Sequence, residues 1–355
     1  MLGVSVTTRF LYSVLQGKEY SGKSKKNEPL HRLIDHLAKD LRTCYDKPIP
    51  IEGVSWTKQV HLICLGFKGD LQGLIKVGKL SRNFMRDTAT GNGPGICHLC
   101  RAGQEGMPWH NTEYCAMKAM KKDVPPPWKE EPSLVAQLPH SPSHKAQFFC
   151  VDLFHTLLKG VFGDIAANCV VSCYDLNIFG KLSIDKLLEY IYNDLRGFCK
   201  QRSLQLHMNE RLPGIEETWK DYVSDMVGAL KSASAFMHTL HHSGLWLLDA
   251  ERDALICDGL ASVNFFQRLA DTAFSLGYTR WKYQPKYHFF AEVLYSLQEA
   301  RELDVPAMNP LSWATQLDED FVGKISTASR QVSSRTIHTR TVQKYLLLLR
   351  AHWDS

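Results

Sequence analysis

The feature that most constrains the fold is a long stretch, residues 87–146, that has no regular apolar period. It contains TATGNGPG, the cysteine-bearing run GICHLCRAGQEGMPWHNTEYC, VPPPW and LPHSPSH. A stretch this long without secondary structure is uncommon inside a compact domain. We therefore predict that something other than helices and strands holds it in place, and a metal ion is the simplest candidate.

The first candidate ligands are Cys97 and Cys100, a C-x2-C pair. A tight turn at this spacing can place two thiolates on one tetrahedral ion, and zinc favours such ligands. His110 and Cys115 follow at the spacing C-x2-C-x9-H-x4-C and could complete four ligands locally. The alternative is that these are ordinary reduced cysteines. The polar, glycine-rich surroundings favour the zinc site. The sequence does not determine which residues supply the last two ligands.

A second candidate pair is Asp152 and His155 in FFCVDLFHTLLKG, three residues apart on one face of a predicted helix. His155 could be a distant zinc ligand, with Asp152 orienting it or binding directly. Spacing alone favours a simpler interpretation, in which Asp152 caps the helix and His155 is a half-buried polar residue.

Two acidic positions could support magnesium chemistry. KQVHLICLGFKGD, residues 58–70, predicts a buried strand that ends near Asp70. LDEDFVGK opens a predicted helix, where Asp318, Glu319 and Asp320 either complement the helix dipole or supply a metal ligand. Two carboxylates from separate elements can hold Mg²⁺ for phosphodiester chemistry.

The segment KISTASRQVSSRTIHTRTVQK, which follows these acids, is basic, rich in hydroxyls and free of Asp and Glu. Such a composition suits contacts with phosphate groups, and it also suits a solvated tail. The net charge of +5 for the whole chain permits a polyanionic partner without requiring one.

Composition narrows the class of protein. With 355 residues and 44% hydrophobic content, the chain can bury one large core or two modest ones. It has no apolar run of eighteen residues and no secretion signal at its start, so we expect a nuclear or cytoplasmic protein without a membrane partner. Ten cysteines are too sparse for a disulfide scaffold.

The sequence contains none of the glycine-rich loops that bind nucleotide phosphates. We therefore predict that no nucleotide cofactor binds.

Apolar periodicity predicts mixed secondary structure. Residues 4–15, VSVTTRFLYSVL, are rich in β-branched and aromatic residues and predict a strand. Asn27 and Pro29 predict the start of a helix whose apolar stripe is Leu30, Ile34, Leu37 and Leu41. From Phe148 onward the pattern is helical, with further helices expected at 216–242, 258–276, 286–302, 318–330 and 338–351.

Taken in order, these motifs resemble the DDE transposases of the CACTA and Plavaka-type DNA elements. The resemblance is carried by TTRFLYSVLQG, LGFKGD, CHLC, DLFH with Gly160 after it, and PKYHFF with NPLSWATQLDEDF. In that family an RNase H-like core carries three carboxylates, and a C-x2-C pair and a D-x2-H pair lie between the second and the third. The resemblance implies that Asp70 is the second acid and Glu319 the third. It also implies a zinc set of Cys97, Cys100 and His155, completed by Cys115, His110 or Asp152.

The first acid of the family pattern is missing, since no acid before Asp70 follows a convincing strand. We therefore expect an amino-terminally truncated copy with impaired turnover, because two-metal phosphoryl transfer needs converging carboxylates. The expected fold is α/β, with a partial RNase H-like sheet, a zinc-pinned loop and a large helical insertion and carboxyl-terminal part. The expected domains are a core (1–86), a zinc-binding loop region (87–147), a helical insertion (148–310) and carboxyl-terminal helices that return to the core (311–355).

The expected function is that of a transposase-derived protein whose ancestral activity was Mg²⁺-dependent DNA strand cleavage and transfer. Its partners would be DNA and a second copy of itself, with zinc in a structural role and magnesium in a catalytic one. The alternative is a non-catalytic, zinc-containing module that binds DNA or another protein. A third hypothesis is an unrelated zinc enzyme, which would require that the ion keeps one coordination position open for water.

Overall fold

The computed structural model describes residues 4–20, 26–49, 60–85, 95–142, 144–178, 180–201 and 217–353. The chain divides into two compact units, each of which is described by itself. Unit 1 consists of Met1–Trp109, Cys115–His155 and Trp313–Ser355, and unit 2 consists of His110–Tyr114 and Thr156–Ser312.

Helices account for almost all the regular structure of the described residues. In chain order the α-helices are α1 (Val4–Thr7), α2 (Gly17–Tyr20), α3 (Glu28–Asp46), α4 (Leu71–Val77), α5 (Tyr114–Met120), α6 (Ser133–Gln137), α7 (Phe162–Asp175), α8 (Ile184–Gln201), α9 (Glu217–His242), α10 (Asp249–Ser275), α11 (Pro285–Glu302), α12 (Gln316–Arg330) and α13 (Ile337–Trp353). A π-helical segment, Phe154–Val161, runs directly into α7, and short 3-10 turns span Lys145–Phe148 and Pro310–Trp313.

The predicted α/β fold with a partial RNase H-like sheet is wrong. The part of the chain that the structure describes is 63% helix and 1% strand. Over the described ranges, the only β-pairings are two isolated bridges, Phe67 with Phe149 and Trp246 with Met308. The first segment predicted as a strand starts with α1 and continues irregularly to Gln16, and residues 60–70 are irregular apart from the bridge at Phe67.

The strand predictions failed because β-branched and aromatic residues favour a strand only where a neighbouring strand and a covering layer exist. In the run predicted to be buried, Ile63 and Leu65 keep 58% and 57% of their surface exposed. Within the described part of this run only Phe67 forms a β-bridge: its N–H donates to Phe148 O at 2.6 Å, and its carbonyl accepts from Cys150 N at 2.9 Å. Residues 51–59, the first part of that run included, lie outside the described residues.

Unit 1 has a core centred on α3, α4 and α6. Three of the four residues of the predicted stripe on α3, Leu30, Ile34 and Leu41, pack against a cluster of buried residues: Ala38, Leu74, Val77, Leu80, Trp128, Leu134, Val135, Leu138, Phe148 and Phe149. Trp128 and Phe148 each meet the ring of Phe149 edge to face, with centroids 6.0 and 5.8 Å apart. The stretch predicted to lack secondary structure therefore contains two short helices, α5 and α6, and Trp128 from the same stretch packs against Phe149.

A smaller cluster in unit 1 joins the two ends of the chain. Val6 of α1, Phe321 of α12, and Tyr345 and Leu349 of α13 are buried together. The hydroxyl of Tyr345 also donates to the carbonyl of Arg9. The position of α12 is therefore fixed by side chains from the first ten residues.

Unit 2 is a helical bundle in which α9 packs along α10 and α10 packs against α11. The rings of Phe162, Phe236 and Phe290 meet edge to face, with centroids 5.3 to 5.8 Å apart. The helices predicted from Phe148 onward are present, with ends that differ by a few residues except at α10, which begins at Asp249 instead of 258.

The helix Phe154–Asp175 is long and apolar enough to cross a membrane by length and composition. The apolar window of this helix is 44% buried within the protein. Core helices of globular proteins meet the same criterion, so the finding carries little weight on its own.

Candidate metal site

Cys97 and Cys100 lie in a compact loop of unit 1, and neither side chain is exposed to solvent. The backbone N–H of Leu99 donates to Cys97 Sγ at 3.3 Å, and that of Ala102 donates to Cys100 Sγ at 3.4 Å. Each sulfur thus accepts a hydrogen bond from the amide two residues ahead. Such donors favour the thiolate, which is the form that binds metal.

The loop closes on itself through glycines. Ile96 N donates to Ala102 O at 2.9 Å, and Gly103 N donates to Met107 O at 2.8 Å. Gly95 has φ +96°, and a Cβ at that position would lie 2.8 Å from Ala102 O. Any other residue would therefore strain the turn that brings the two cysteines together.

His98, between the cysteines, fastens the loop to the core of unit 1. Its side chain is 1% exposed, and its Nε2 donates to the carbonyl of Phe149 at 2.8 Å. Since Phe149 belongs to the aromatic cluster described above, the position of the cysteine pair is tied to the hydrophobic core of unit 1.

His288 and Glu292 lie one turn apart on α11 in unit 2, with His288 Nε2 3.4 Å from Glu292 Oε1. The two residues are 0% and 3% exposed. Two ionisable side chains at this depth call for a compensating partner, because burial of an uncompensated charge is costly. The spacing i, i+4 directs both side chains to one face of the helix.

Cys97, Cys100, His288 and Glu292 form a buried group whose potential ligand atoms all lie within 4.8 Å of one another. Two thiolates, an imidazole and a carboxylate are all ligands that zinc takes in proteins. Atoms bound at about 2.0–2.3 Å to one tetrahedral ion lie within such a distance of each other. The group could therefore bind a metal ion such as zinc.

Sequence reasoning singled out the two cysteines and missed the other two members of the group. His288 and Glu292 occur in PKYHFFAEVLY, where a histidine and an acid interrupt an apolar run at helical spacing. A polar pair at i, i+4 inside an otherwise buried helix was the pattern that could have identified them.

The two local candidates for closing the site lie elsewhere on the chain's surface. Cys115 is exposed in α5, and His110 is exposed in the turn before it. Among the described residues, neither belongs to a group of three or more potential ligands.

The structure brings Asp152, His155 and Glu319 together in unit 1. His155 Nδ1 lies 2.5 Å from Asp152 Oδ2, and His155 Nε2 lies 2.9 Å from Glu319 Oε1. Asp152 is 5% exposed and also accepts from Thr315 N at 3.1 Å, Thr315 Oγ1 at 2.8 Å and Phe154 N at 3.0 Å. Asp152 thus links the start of the π-helical segment to the residue before α12.

Asp70 and Asp318 contact other partners. Asp70 is exposed and caps α4, where its Oδ1 accepts from Gly73 N at 2.6 Å. Asp318 is held by Arg9 Nε at 2.5 Å and Lys68 Nζ at 3.0 Å. Within the described ranges, no group of three potential metal ligands whose ligand atoms all lie within 4.8 Å of one another contains Asp70 or Glu319.

No protein-family model matches the chain, and no curated protein and no solved structure matches it either.

Proposed function

We propose that this chain is a zinc-binding protein in which one structural ion is held by Cys97, Cys100, His288 and Glu292. The observation that carries the proposal is the buried group of four side chains whose ligand atoms lie within 4.8 Å of one another. Four protein ligands fill a tetrahedral zinc ion and leave no open position for water, as in structural sites. The ion would supply folding free energy and not catalysis.

The loop around the cysteines explains why such an ion is useful. Its backbone forms turns without a helix or strand from residue 95 to residue 113. Metal binding can stabilise such a segment, because a preformed site rarely exists in the unfolded chain and the binding free energy then adds to the folding free energy.

Zinc content of the purified chain tests this proposal. We expect one zinc ion per chain after dialysis, measured by elemental mass spectrometry, and its loss in Cys97→Ser and His288→Ala. Removal of the ion by a strong chelator should lower the melting temperature, since binding to the folded state alone stabilises it by about 4 kcal/mol at a thousandfold excess over Kd.

Cys115→Ser and His110→Ala are the matched controls, because these residues complete the local ligand pattern in sequence but are exposed. Both variants should keep the full zinc content. A folded wild-type chain that binds no zinc, or a Cys115→Ser variant that loses its zinc, would contradict the proposal.

A second function, binding of nucleic acid by α12 and α13, is favoured by charge. Between Asp320 and Asp354 the chain has six Lys and Arg residues and no acid: Lys324, Arg330, Arg335, Arg340, Lys344 and Arg350. The charge of this segment, +6, exceeds the +5 of the whole chain. Arg330, Arg335 and Arg340 are exposed.

We therefore propose a non-catalytic binding module in preference to an enzyme that cleaves strands. Cleavage by the mechanism that the sequence resemblance implies requires an RNase H-like sheet, and the described residues contain none. Contacts between basic side chains and the phosphate backbone need no such sheet, since they depend on charge and exposure.

Salt-dependent binding tests the second function. We expect a fluorescent DNA duplex to bind with an affinity that falls steeply with salt, and the triple variant Arg330→Gln, Arg335→Gln, Arg340→Gln to reduce the slope of log K against log salt by about 3. Lys118→Gln, Lys122→Gln and Lys129→Gln, which remove three cations outside this segment, form the control. Equal loss in both triple variants, or binding only to anionic lipid vesicles, would overturn the proposal, and Mg²⁺-dependent nicking would overturn the non-catalytic reading.

A further inference from the structure

Arg82 has an unusual environment for an arginine. Its side chain lies in unit 1 beyond the end of α4, and the residue is only 3% exposed. Arg82 Nε donates to Cys97 O at 3.0 Å, and Nη2 donates to His98 O at 3.2 Å. Nη1 donates to Pro125 O at 2.7 Å and reaches Pro126 O at 3.4 Å. One guanidinium thus clamps the cysteine loop to the VPPPW segment.

The buried positive charge of Arg82 has no carboxylate partner among the described residues. A buried cation is costly unless negative charge offsets it. Among the described residues no carboxylate forms an ion pair with Arg82, and its four hydrogen-bond acceptors are all neutral carbonyls. Because Arg82 donates to the carbonyls of Cys97 and His98, its charge is held in the same loop as the two thiols, which become negative when they bind a metal ion.

We infer that Arg82 is a positioning residue of the metal site, which raises its affinity by holding the cysteine loop in the binding geometry and by offsetting its negative charge. This inference rests on the proposed zinc function. Two thiolates and a carboxylate bring three negative charges to an ion with two positive ones, so the filled group carries one net negative charge. One guanidinium neutralises that charge.

The shape of arginine suits this role better than that of lysine. A planar guanidinium presents five donors in a fixed fork, whereas an ammonium is a compact point charge on a flexible stem. Lysine at this position would keep the charge but could not contact the carbonyls of Cys97, His98 and Pro125 together. The two contributions can therefore be separated by substitution.

The test compares Arg82→Met and Arg82→Lys with the wild type and with Arg101→Met. Arg101 lies in the same loop and contacts Gln104 at 3.2 Å, so its substitution removes a nearby positive charge without loosening the contacts to Cys97 and His98. Zinc affinity is measured by competition with a chromophoric chelator, and the ligand field is followed by the absorption of bound Co²⁺. Thermal unfolding of the metal-free form is recorded for every variant.

We expect Arg82→Met to bind zinc about 10- to 100-fold more weakly, which is the usual effect of losing an outer partner of metal ligands. Arg82→Lys should lie between Arg82→Met and the wild type, and Arg101→Met should stay close to the wild type. A residue that only supported the fold would instead lower the stability of the metal-free form to the same extent in Arg82→Met and Arg82→Lys.

Three results would overturn the inference while leaving the zinc function intact: Arg82→Met with wild-type zinc affinity, Arg82→Lys as weak as Arg82→Met, or Arg101→Met as weak as either. Arg82→Met is replaced in this comparison if its circular dichroism shows that it does not fold. The zinc affinity of Arg82→Lys is then compared with that of Arg101→Met, and equal affinities overturn the inference. Failure of the wild type itself to bind zinc would contradict the proposed function instead, so the two failures are distinguishable.

Discussion

At the scale of single residues, the acidic side chains differ in role far more than their positions in the sequence indicate. Asp152 and Glu319 both contact the imidazole of His155, yet the side chain of Asp152 is 5% exposed and that of Glu319 is 43% exposed. Asp152 accepts four hydrogen bonds from three neighbouring residues, whereas Asp70 accepts one as an exposed helix cap. Burial and the number of donors, not acidity, decide which carboxylate matters for stability.

We predict that Asp152→Asn destabilises the protein by about 2–3 kcal/mol, because the buried Thr315 and the half-buried His155 lose a charged acceptor. Glu319→Gln removes the other carboxylate from the same imidazole, but a half-exposed pair contributes at most about 1 kcal/mol. Urea unfolding of the two variants measures the difference. Equal effects would show that Asp152 is no more important than a surface acid.

Two of the four candidate metal ligands are recognisable from the sequence alone. Cys97 and Cys100 are recognisable because a C-x2-C turn is a local pattern, and both thiols are buried and accept backbone N–H donors. His288 and Glu292 are local only to each other, nearly two hundred residues away along the chain. Their membership in the group is a matter of tertiary structure.

At the scale of elements, helix spacing predicted the elements well where the apolar stripe was long, as in α3, α9 and α11. The π-helical segment Phe154–Val161 could not be foreseen. It contains Gly160 with φ −138° and ψ −114°, values outside the helical region, directly before α7. A wider turn of this kind often accompanies functional sites, and here it follows Asp152 and includes His155.

Close helix packing supplies a test at this scale. A Cβ at Gly259 in α10 would lie 2.3 Å from Leu294 Cδ2 in α11 and 3.2 Å from Phe236 Cε2 in α9. We predict that Gly259→Ala destabilises unit 2 by about 1–3 kcal/mol through overpacking, although alanine favours the helix by ~1 kcal/mol.

Gly323→Ala is the control for this prediction. Gly323 is exposed on α12, and a Cβ at this position would have no neighbouring atom within 4 Å. That variant should gain about 0.5–1 kcal/mol from helix propensity. Thermal unfolding compares the two, and a Gly259→Ala variant as stable as Gly323→Ala would disprove close packing at α10.

At the scale of the whole molecule, segments that are far apart along the chain pack together. Unit 1 is assembled from three separate stretches, so that Val6 near the start packs with Phe321, Tyr345 and Leu349 near the end. The positive charge of the last segment is thereby carried on helices anchored to the core and not on a loose tail. Basic side chains presented by an ordered helix keep a fixed spacing, which favours contacts with a regular phosphate backbone.

The sequence by itself determined the helices with long apolar stripes, the need for something to hold the cysteine-bearing stretch, and the C-x2-C pair. These are local properties, since spacing along a few turns of chain fixes which side chains share a face or a turn. Only the tertiary structure decided that no sheet forms among the described residues, that Phe149 and Trp128 anchor the irregular stretch, and that His288 and Glu292 join the cysteines. Each of these depends on contacts between distant segments, and the periodicity of one segment contains no information about the partner that covers it.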